Sequence, residues 1–180
     1  VYPTRRSARL PDSEYKLIKE FATRTDLVEG GNGIVDFRAA VPYPIPNNGL
    51  EVIWNHITRY RTGLGLKRRY IQAPVQANGN FAPVLFEEQA MFANRVPGNP
   101  YPNRLMVFQQ KILAPARLEG DVLLVHENID QIAEPRSAWI YNAGQRRVRR
   151  APNIAYDGPG TASDGLRTAD DLDLYNGAPD

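Results

Sequence analysis

The chain has 180 residues, of which 42% are hydrophobic and 23% charged, and its net charge is +2. A chain of this length folds as one large domain or two small ones and can bury roughly 70% of its unfolded surface. The small net charge argues against a dedicated nucleic-acid-binding protein. The sequence has no cysteine, which excludes disulfides, thiolate zinc sites and cysteine nucleophiles. The first residue is Val1 rather than Met, and we expect a single domain over residues 1–180 that is an internal piece of a longer protein.

Two amphipathic helices are predicted in the first third of the chain. The first is expected to open at Asp12 or Ser13 and to end near Thr25. The second spans about Gly49–Arg61, and its start has the spacing of a capping box between Asn48 and Glu51. The apolar stripe of the second helix consists of Leu50, Ile53, Trp54 and Ile57.

A glycine-rich segment, Gly30–Gly33, lies between the two helices. Its flanks, Leu27-Val28 and Ile34-Val35, are typical of short strands, so the segment is predicted to be the loop of a hairpin. A phosphate-binding loop is disfavoured, because the P-loop lysine and the spacing of a dinucleotide fingerprint are both missing.

From Leu66 onward, short apolar runs at hairpin spacing predict an antiparallel meander. The predicted strands are Lys67–Val75, Phe81–Phe92, Arg104–Ala114, Asp121–Glu127, Ser137–Asn142 and Arg146–Ala151. The third and fourth strands are apolar on both faces, whereas a sheet with one solvated face would alternate apolar and polar residues. We therefore expect an α+β fold in which a curved antiparallel sheet packs its helices on the concave face.

The last predicted hairpin, Ala138–Pro152, has an aromatic arm and a basic arm. Along an extended strand Arg146, Val148 and Arg150 face one way, and Arg147 and Arg149 face the other. Burial of so many unpaired charges would be too costly, so this strand must lie at an edge or a rim. Two interpretations stay open: a solvated, ion-paired edge, or a surface that meets an anionic ligand or partner.

No catalytic or metal-binding pattern is present, and we expect neither enzyme activity nor a cofactor. His56 and His126 have no acid at metal-site spacing. Glu87 and Glu88 should point to opposite faces of a strand, which argues against a paired-carboxylate site. The acidic segment Asp170–Asp173 lacks the glycine and the terminal glutamate of a calcium loop.

Three stretches carry a resemblance to a known family: residues 1–8, the helix Pro46–Tyr60, and Trp139–Pro152 running into Ala155-Tyr156-Asp157. The sequence resembles an uncharacterised family of Gram-negative envelope proteins, loosely named outer-membrane lipoprotein-sorting proteins and related to the LolA/LolB lipoprotein carriers. The resemblance covers essentially the whole chain, and the aromatic strand followed by a basic one is its most specific feature.

The resemblance implies an incomplete barrel with helices over its concave side, located in the periplasm or at the periplasmic face of the outer membrane. It further implies a lipid or acyl-chain ligand and, as partner, an inner-membrane transporter of the resistance-nodulation-division type. An exposed sheet edge would allow a homo-oligomer.

On this basis the leading expectation is a carrier for a lipid-like ligand, and the alternative is an envelope module that docks a transporter or sensor through the basic hairpin. The expected ligand-binding residues are Leu50, Ile53, Trp54, Ile57, Phe108, Leu124 and Trp139. The residues expected to meet an anionic head group or a partner are Arg146, Arg147, Arg149 and Arg150. Which strand face lines the ligand site stays open from sequence.

Overall fold

The structure is a computed structural model that describes residues 9–151, 158–169 and 171. In this part of the chain the fold is α+β, with two helices, a two-stranded hairpin and a six-stranded antiparallel sheet. Each strand of the large sheet pairs with its neighbour in sequence, in the order β3-β4-β5-β6-β7-β8, so the predicted meander is confirmed. The elements are α1 (Asp12–Phe21), β1 (Asp26–Leu27), β2 (Ile34–Val35), α2 (Gly49–Thr58), β3 (Gly65–Gln72), β4 (Val84–Phe92), β5 (Arg104–Ala114), β6 (Val122–Asn128), β7 (Ser137–Asn142) and β8 (Arg147–Arg150).

Helix α2 begins at the predicted capping box. The backbone N–H of Glu51 donates to Asn48 Oδ1 at 3.0 Å, and the Glu51 carboxylate accepts from the backbone N–H of Asn47 at 2.6 Å. The helix ends at Thr58, earlier than predicted, because Arg59 turns to an extended conformation. The guanidinium of Arg59 then donates to the carbonyl of His56 at 2.7 Å, which satisfies one of the carbonyls left open at the helix end.

Helix α1 is shorter than predicted and has a different cap. Its N-cap is Pro11, which has no side-chain hydrogen bond to offer, while the Asp12 carboxylate binds Arg9 at 2.7 Å. The predicted cap at Asp12 or Ser13 is therefore wrong. The predicted hairpin around the glycine-rich segment is confirmed, since Leu27 pairs with Ile34.

The apolar stripe of α2 packs against one end of the large sheet. Trp54 and Ile57 belong to a buried cluster with Leu105 and Ile129, which come from the β5 end and the residue after β6. Trp54 is 2% exposed, and its Nε1 donates to the carbonyl of Gly31 at 2.9 Å. This hydrogen bond ties α2 to the loop of the β1–β2 hairpin.

The pairing register divides the strand residues between two faces, because side chains alternate along each strand. The covered face consists of Leu66, Arg68, Tyr70, Gln72, Val84, Phe86, Glu88, Ala90, Phe92, Met106, Phe108, Gln110, Ile112, Leu123, Val125, Glu127, Ala138, Ile140, Arg147 and Arg149. The open face consists of Lys67, Arg69, Ile71, Leu85, Glu87, Gln89, Met91, Val107, Gln109, Lys111, Val122, Leu124, His126, Ser137, Trp139, Tyr141, Val148 and Arg150.

Burial distinguishes the two faces. On the covered face Phe86 is 0% exposed and forms a second cluster with Val84 and Ile112, against which Leu118 and Ala162 pack. On the open face no residue is fully buried. Within the described residues, the covered face is therefore packed except toward its edges, where Arg68, Ile140, Arg147 and Arg149 are exposed, and the open face is accessible. Both edge strands, β3 and β8, lack a second partner strand there, so this sheet is open rather than a closed barrel.

Candidate functional site

The open face carries a band of apolar side chains on its last three strands. We define the apolar band as Val122, Leu124, Trp139, Tyr141 and Val148. Leu124 lies opposite Trp139, and Tyr141 lies between Val122 and Val148. Three adjacent strands span about 10 Å at the usual strand spacing. Val148 is 64% exposed and the other four are half-buried, so the band is a continuous apolar surface in contact with solvent.

Trp139 lies at the centre of the site between two nitrogen-containing side chains. The ring of His126 meets it edge-on, with the ring centroids 4.9 Å apart. Burial lowers the pKa of His126 below its ordinary value, and the positive charge of Arg104 lowers it further. The lowered pKa favours the neutral form of His126, which presents an uncharged ring to the band. On the other side Arg150 is the cross-strand partner of Trp139, and its guanidinium lies 3.4 Å from the Ser137 hydroxyl.

The other half of the open face is polar in its middle, between the apolar pairs Ile71–Leu85 and Met91–Val107. Glu87 lies 3.2 Å from Lys67 and 3.1 Å from Arg69. Hydrogen bonds from Lys67 and Arg69, in that order, hold the pKa of Glu87 below its usual range. Next to the band, Gln109 lies opposite Leu124, and Lys111 lies opposite Val122. The band thus has a polar border along β5, so its area is limited to β6–β8.

The four arginines of the basic arm are all exposed, but they do not act as one surface. Arg147 and Arg149 lie on the covered-face side of β8, and Arg150 lies on the open-face side with Val148. The alternation predicted for these residues is confirmed. Arg146, however, lies in the turn with a φ of 51°, so its predicted place in the strand is wrong. Within the described part of the chain, none of the four forms a salt bridge with a carboxylate; Arg149 donates to Gln145 at 2.9 Å.

The expected ligand-binding residues do not share one surface. Trp54 and Ile57 are buried in the packed core, with Leu50 and Ile53 half-buried beside them. Phe108 lies on the covered face between Ala90 and Val125. Leu124 and Trp139 are neighbours on the open face. That these residues bind a ligand stays a prediction, and the structure brings only the last two together at an accessible surface.

Three members of the apolar band were not among the expected residues: Val122, Tyr141 and Val148. A signal for them exists in the sequence, because Val122 with Leu124 and Trp139 with Tyr141 each have the period of two of a strand face. The signal was ambiguous, since the residues at the alternate positions of β6 are equally apolar. Only the cross-strand register shows which set shares a face with Trp139.

The covered face holds a polar cluster between its two apolar clusters. The Glu88 side chain is 6% exposed, and its carboxylate accepts from Arg68 Nε at 2.8 Å. Gln110 donates to the hydroxyl of Tyr70, and burial, followed by the charge of Glu88, raises the pKa of that tyrosine. Glu87 lies on the opposite face, as predicted. The groups of this cluster satisfy one another, an arrangement that stabilises the sheet.

The described residues contain neither a cluster of metal-ligating side chains nor a membrane-spanning helix. Across 9–151, 158–169 and 171, no group of three or more histidine, aspartate or glutamate side chains is placed to hold a metal ion. None of the helices described there combines the length and the apolar character needed to cross a bilayer. Asp171 accepts a hydrogen bond from the Thr168 backbone at 2.9 Å, while Asp170 and Asp173 of the acidic segment lie outside the described residues.

Comparison with known proteins gives the family of the chain. The family model described as "Protein of unknown function (DUF1329)" matches residues 1–180. The chain belongs to this family. It is 56% identical over 184 residues to the "Uncharacterized protein PA3922" of Pseudomonas aeruginosa, an alignment that covers 100% of this chain and 40% of the relative. The chain thus spans less than half the length of that relative. No solved structure matches it significantly.

Proposed function

We propose that this DUF1329 domain is a non-enzymatic binding protein that carries a hydrophobic, lipid-like ligand on the open face of its sheet. The observation that supports the proposal is the apolar band, with Arg150 as the cross-strand neighbour of Trp139 on the same face. A continuous accessible apolar surface with a polar border is typical of a binding site. In this proposal the ligand site lies on the sheet rather than between the sheet and helix α2, whose apolar stripe is occupied by core packing.

The band can contribute a modest affinity. An acyl chain that lies on an open sheet is covered on one side only, so about eight methylene groups contribute roughly 3 kcal/mol, half of the ~0.8 kcal/mol for each fully buried group. A charge-assisted hydrogen bond from an arginine adds about 1.5–3 kcal/mol. The sum of roughly 5 kcal/mol corresponds to a dissociation constant of about 0.2 mM. Such binding is readily reversible, as a carrier requires.

Arg150 suits an anionic head group. A guanidinium presents its donors in a planar fork that matches the oxygens of a phosphate or a carboxylate. Arg150 lies on the same face as the band, so one amphiphile can place its chain on Trp139 and its head group at Arg150. The likeness to the LolA/LolB carriers and the periplasmic location belong to this proposal, and both rest on the sequence resemblance. An open sheet with an accessible apolar face is the kind of surface that such a carrier requires.

The test is titration with a fluorescent single-chain phospholipid below its critical micelle concentration. We expect the protein to bind the probe, and Trp139→Ala to weaken binding at least tenfold. The matched control is Tyr101→Ala, which removes an aromatic side chain from a loop outside the band. Tyr101 is 54% exposed, which is more than Trp139. Circular dichroism checks that both variants are folded. Absence of probe binding by the unmodified protein, or equal affinity of the two variants, would refute the proposal.

A further inference from the structure

The β7–β8 hairpin forms one edge of the sheet and is free of acidic residues. No aspartate or glutamate occurs between Arg136 and Ala151. The tip is fixed, because the backbone N–H of Ala143 donates to Asp121 Oδ1 at 2.7 Å. That carboxylate is engaged by the backbone of the turn, which leaves the arginines of β8 exposed and their positive charge uncompensated by any salt bridge among the described residues.

Apolar and basic side chains alternate across this hairpin on both of its sides. On the covered-face side Ile140, which is 42% exposed, lies opposite Arg149. On the open-face side Val148 is 64% exposed and precedes Arg150. Trp139 and Tyr141 stand in the neighbouring strand. Aromatic and aliphatic residues interleaved with arginines are typical of segments that lie at the head-group level of a bilayer.

We propose that the β7–β8 hairpin docks this domain onto the surface of an anionic lipid membrane, an inference that rests on the proposed lipid-carrying function. Arg147 and Arg149 face away from the apolar band and are free to contact membrane phosphates while Arg150 serves the bound ligand. Trp139, Tyr141 and Val148 belong to both the hairpin and the band. Docking through the hairpin therefore brings the edge of the ligand site directly to the membrane, where a lipid can enter or leave.

The charge distribution favours a membrane over a nucleic acid as the docked surface. The whole chain has a net charge of only +2, which is low for a nucleic-acid-binding protein. The other basic run of the sheet, Lys67–Arg69, is paired with Glu87 and Glu88, whereas the arginines of β8 form no salt bridge among the described residues. Exposed aliphatic side chains such as Ile140 and Val148 gain from contact with acyl chains, whereas a phosphate backbone offers them nothing. Each arginine near an anionic surface is expected to raise the partition coefficient about fivefold.

Vesicle sedimentation tests the docking. The variant is Arg147→Gln/Arg149→Gln, which leaves the open face unchanged. The matched control is Lys16→Gln/Lys19→Gln, which removes the same charge from exposed positions of α1. We expect the unmodified protein and the control to bind vesicles that contain phosphatidylglycerol, in a salt-dependent manner, and to ignore pure phosphatidylcholine. The arginine variant should bind the anionic vesicles about 25-fold more weakly, at fivefold per arginine, and should bind the single-chain phospholipid probe as before.

The outcomes separate the two proposals. Equal vesicle binding by the two double variants overturns the docking proposal, because net charge alone would then explain the binding. Binding of the phospholipid probe without any vesicle binding also overturns the docking proposal. The same holds if the arginines are found to bind a protein partner and not a membrane. Vesicle binding without binding of the phospholipid probe overturns the carrier function. The hairpin would then contact a membrane in a protein that does not carry lipid.

Discussion

The buried ion pair between Arg136 and Glu127 offers the sharpest test of how the candidate site is positioned. The guanidinium donates to the two carboxylate oxygens of Glu127 at 2.7 and 2.9 Å. The side chains are only 13% and 6% exposed. Gln131 completes the network by donating to Glu127 at 2.9 Å and accepting from the backbone of Arg136 at 3.0 Å. The pair closes the connection between β6 and β7 and so sets the start of the strand that carries Trp139.

We expect Arg136→Ala to lower the free energy of unfolding by about 3–5 kcal/mol at pH 7, the usual cost of leaving one partner of a buried pair uncompensated. Among the described residues, Gln131 alone would then remain as a side-chain donor to the Glu127 carboxylate. In the double variant Arg136→Ala/Glu127→Gln the buried charge is gone, and we expect a loss of only about 1–2 kcal/mol. The single variant should therefore be less stable than the double variant.

Urea unfolding followed by tryptophan fluorescence, to which the buried Trp54 contributes, measures these differences. The matched control is Arg24→Ala, because Arg24 also donates to both oxygens of a carboxylate, that of Asp36, at 2.9 and 3.0 Å. That pair is about half exposed, so its loss should cost no more than about 1 kcal/mol. If Arg136→Ala costs as little as Arg24→Ala, or if the double variant is no more stable than Arg136→Ala, the burial argument is wrong.

Three further predictions concern single positions, and urea unfolding checks each of them. Gly31→Ala should lower the free energy of unfolding by roughly 2–4 kcal/mol, because φ is +80° and the new Cβ would lie 2.5 Å from Leu50 Cδ1. The control Gly30→Ala, which has φ +79° but open space around the new Cβ, should cost about 1 kcal/mol. Equal costs for the two variants would argue against the steric contact. Asn48→Ala should cost about 1 kcal/mol through the lost cap, and a loss below 0.3 kcal/mol would contradict it. Burial holds the pKa of His126 below its ordinary value, so the unfolded state takes up the proton first as the pH falls from 7 to 5.5, and the free energy of unfolding declines over this range. His126→Asn should flatten this decline. An unchanged slope in the variant would count against the effect.

Local patterns determined most of the secondary structure of this protein. The bounds of β5 and β7 are those predicted from the sequence, because apolar runs between turn residues are a property of neighbouring residues. The cap at Asn48 was also predictable, since its partner is three residues away. The errors lie at ends where a competing local contact prevailed: Asp12 binds Arg9 instead of capping α1, and Arg146 adopts a turn conformation.

Only the tertiary structure decided which face of the sheet is accessible. Because β5 and β6 are apolar on both faces, alternation could not choose between Phe108 and Leu124, and the choice came from cross-strand register. That register shifts at two places in β4 and β5, which no local pattern indicated. The buried acids were equally hidden, since Glu14 is neutralised by Arg95, 81 residues away. The sequence alone thus determined the meander and its basic edge. The position of the apolar band on the open face with Arg150 was decided by long-range strand pairing, because pairing brings residues that are distant in sequence into contact.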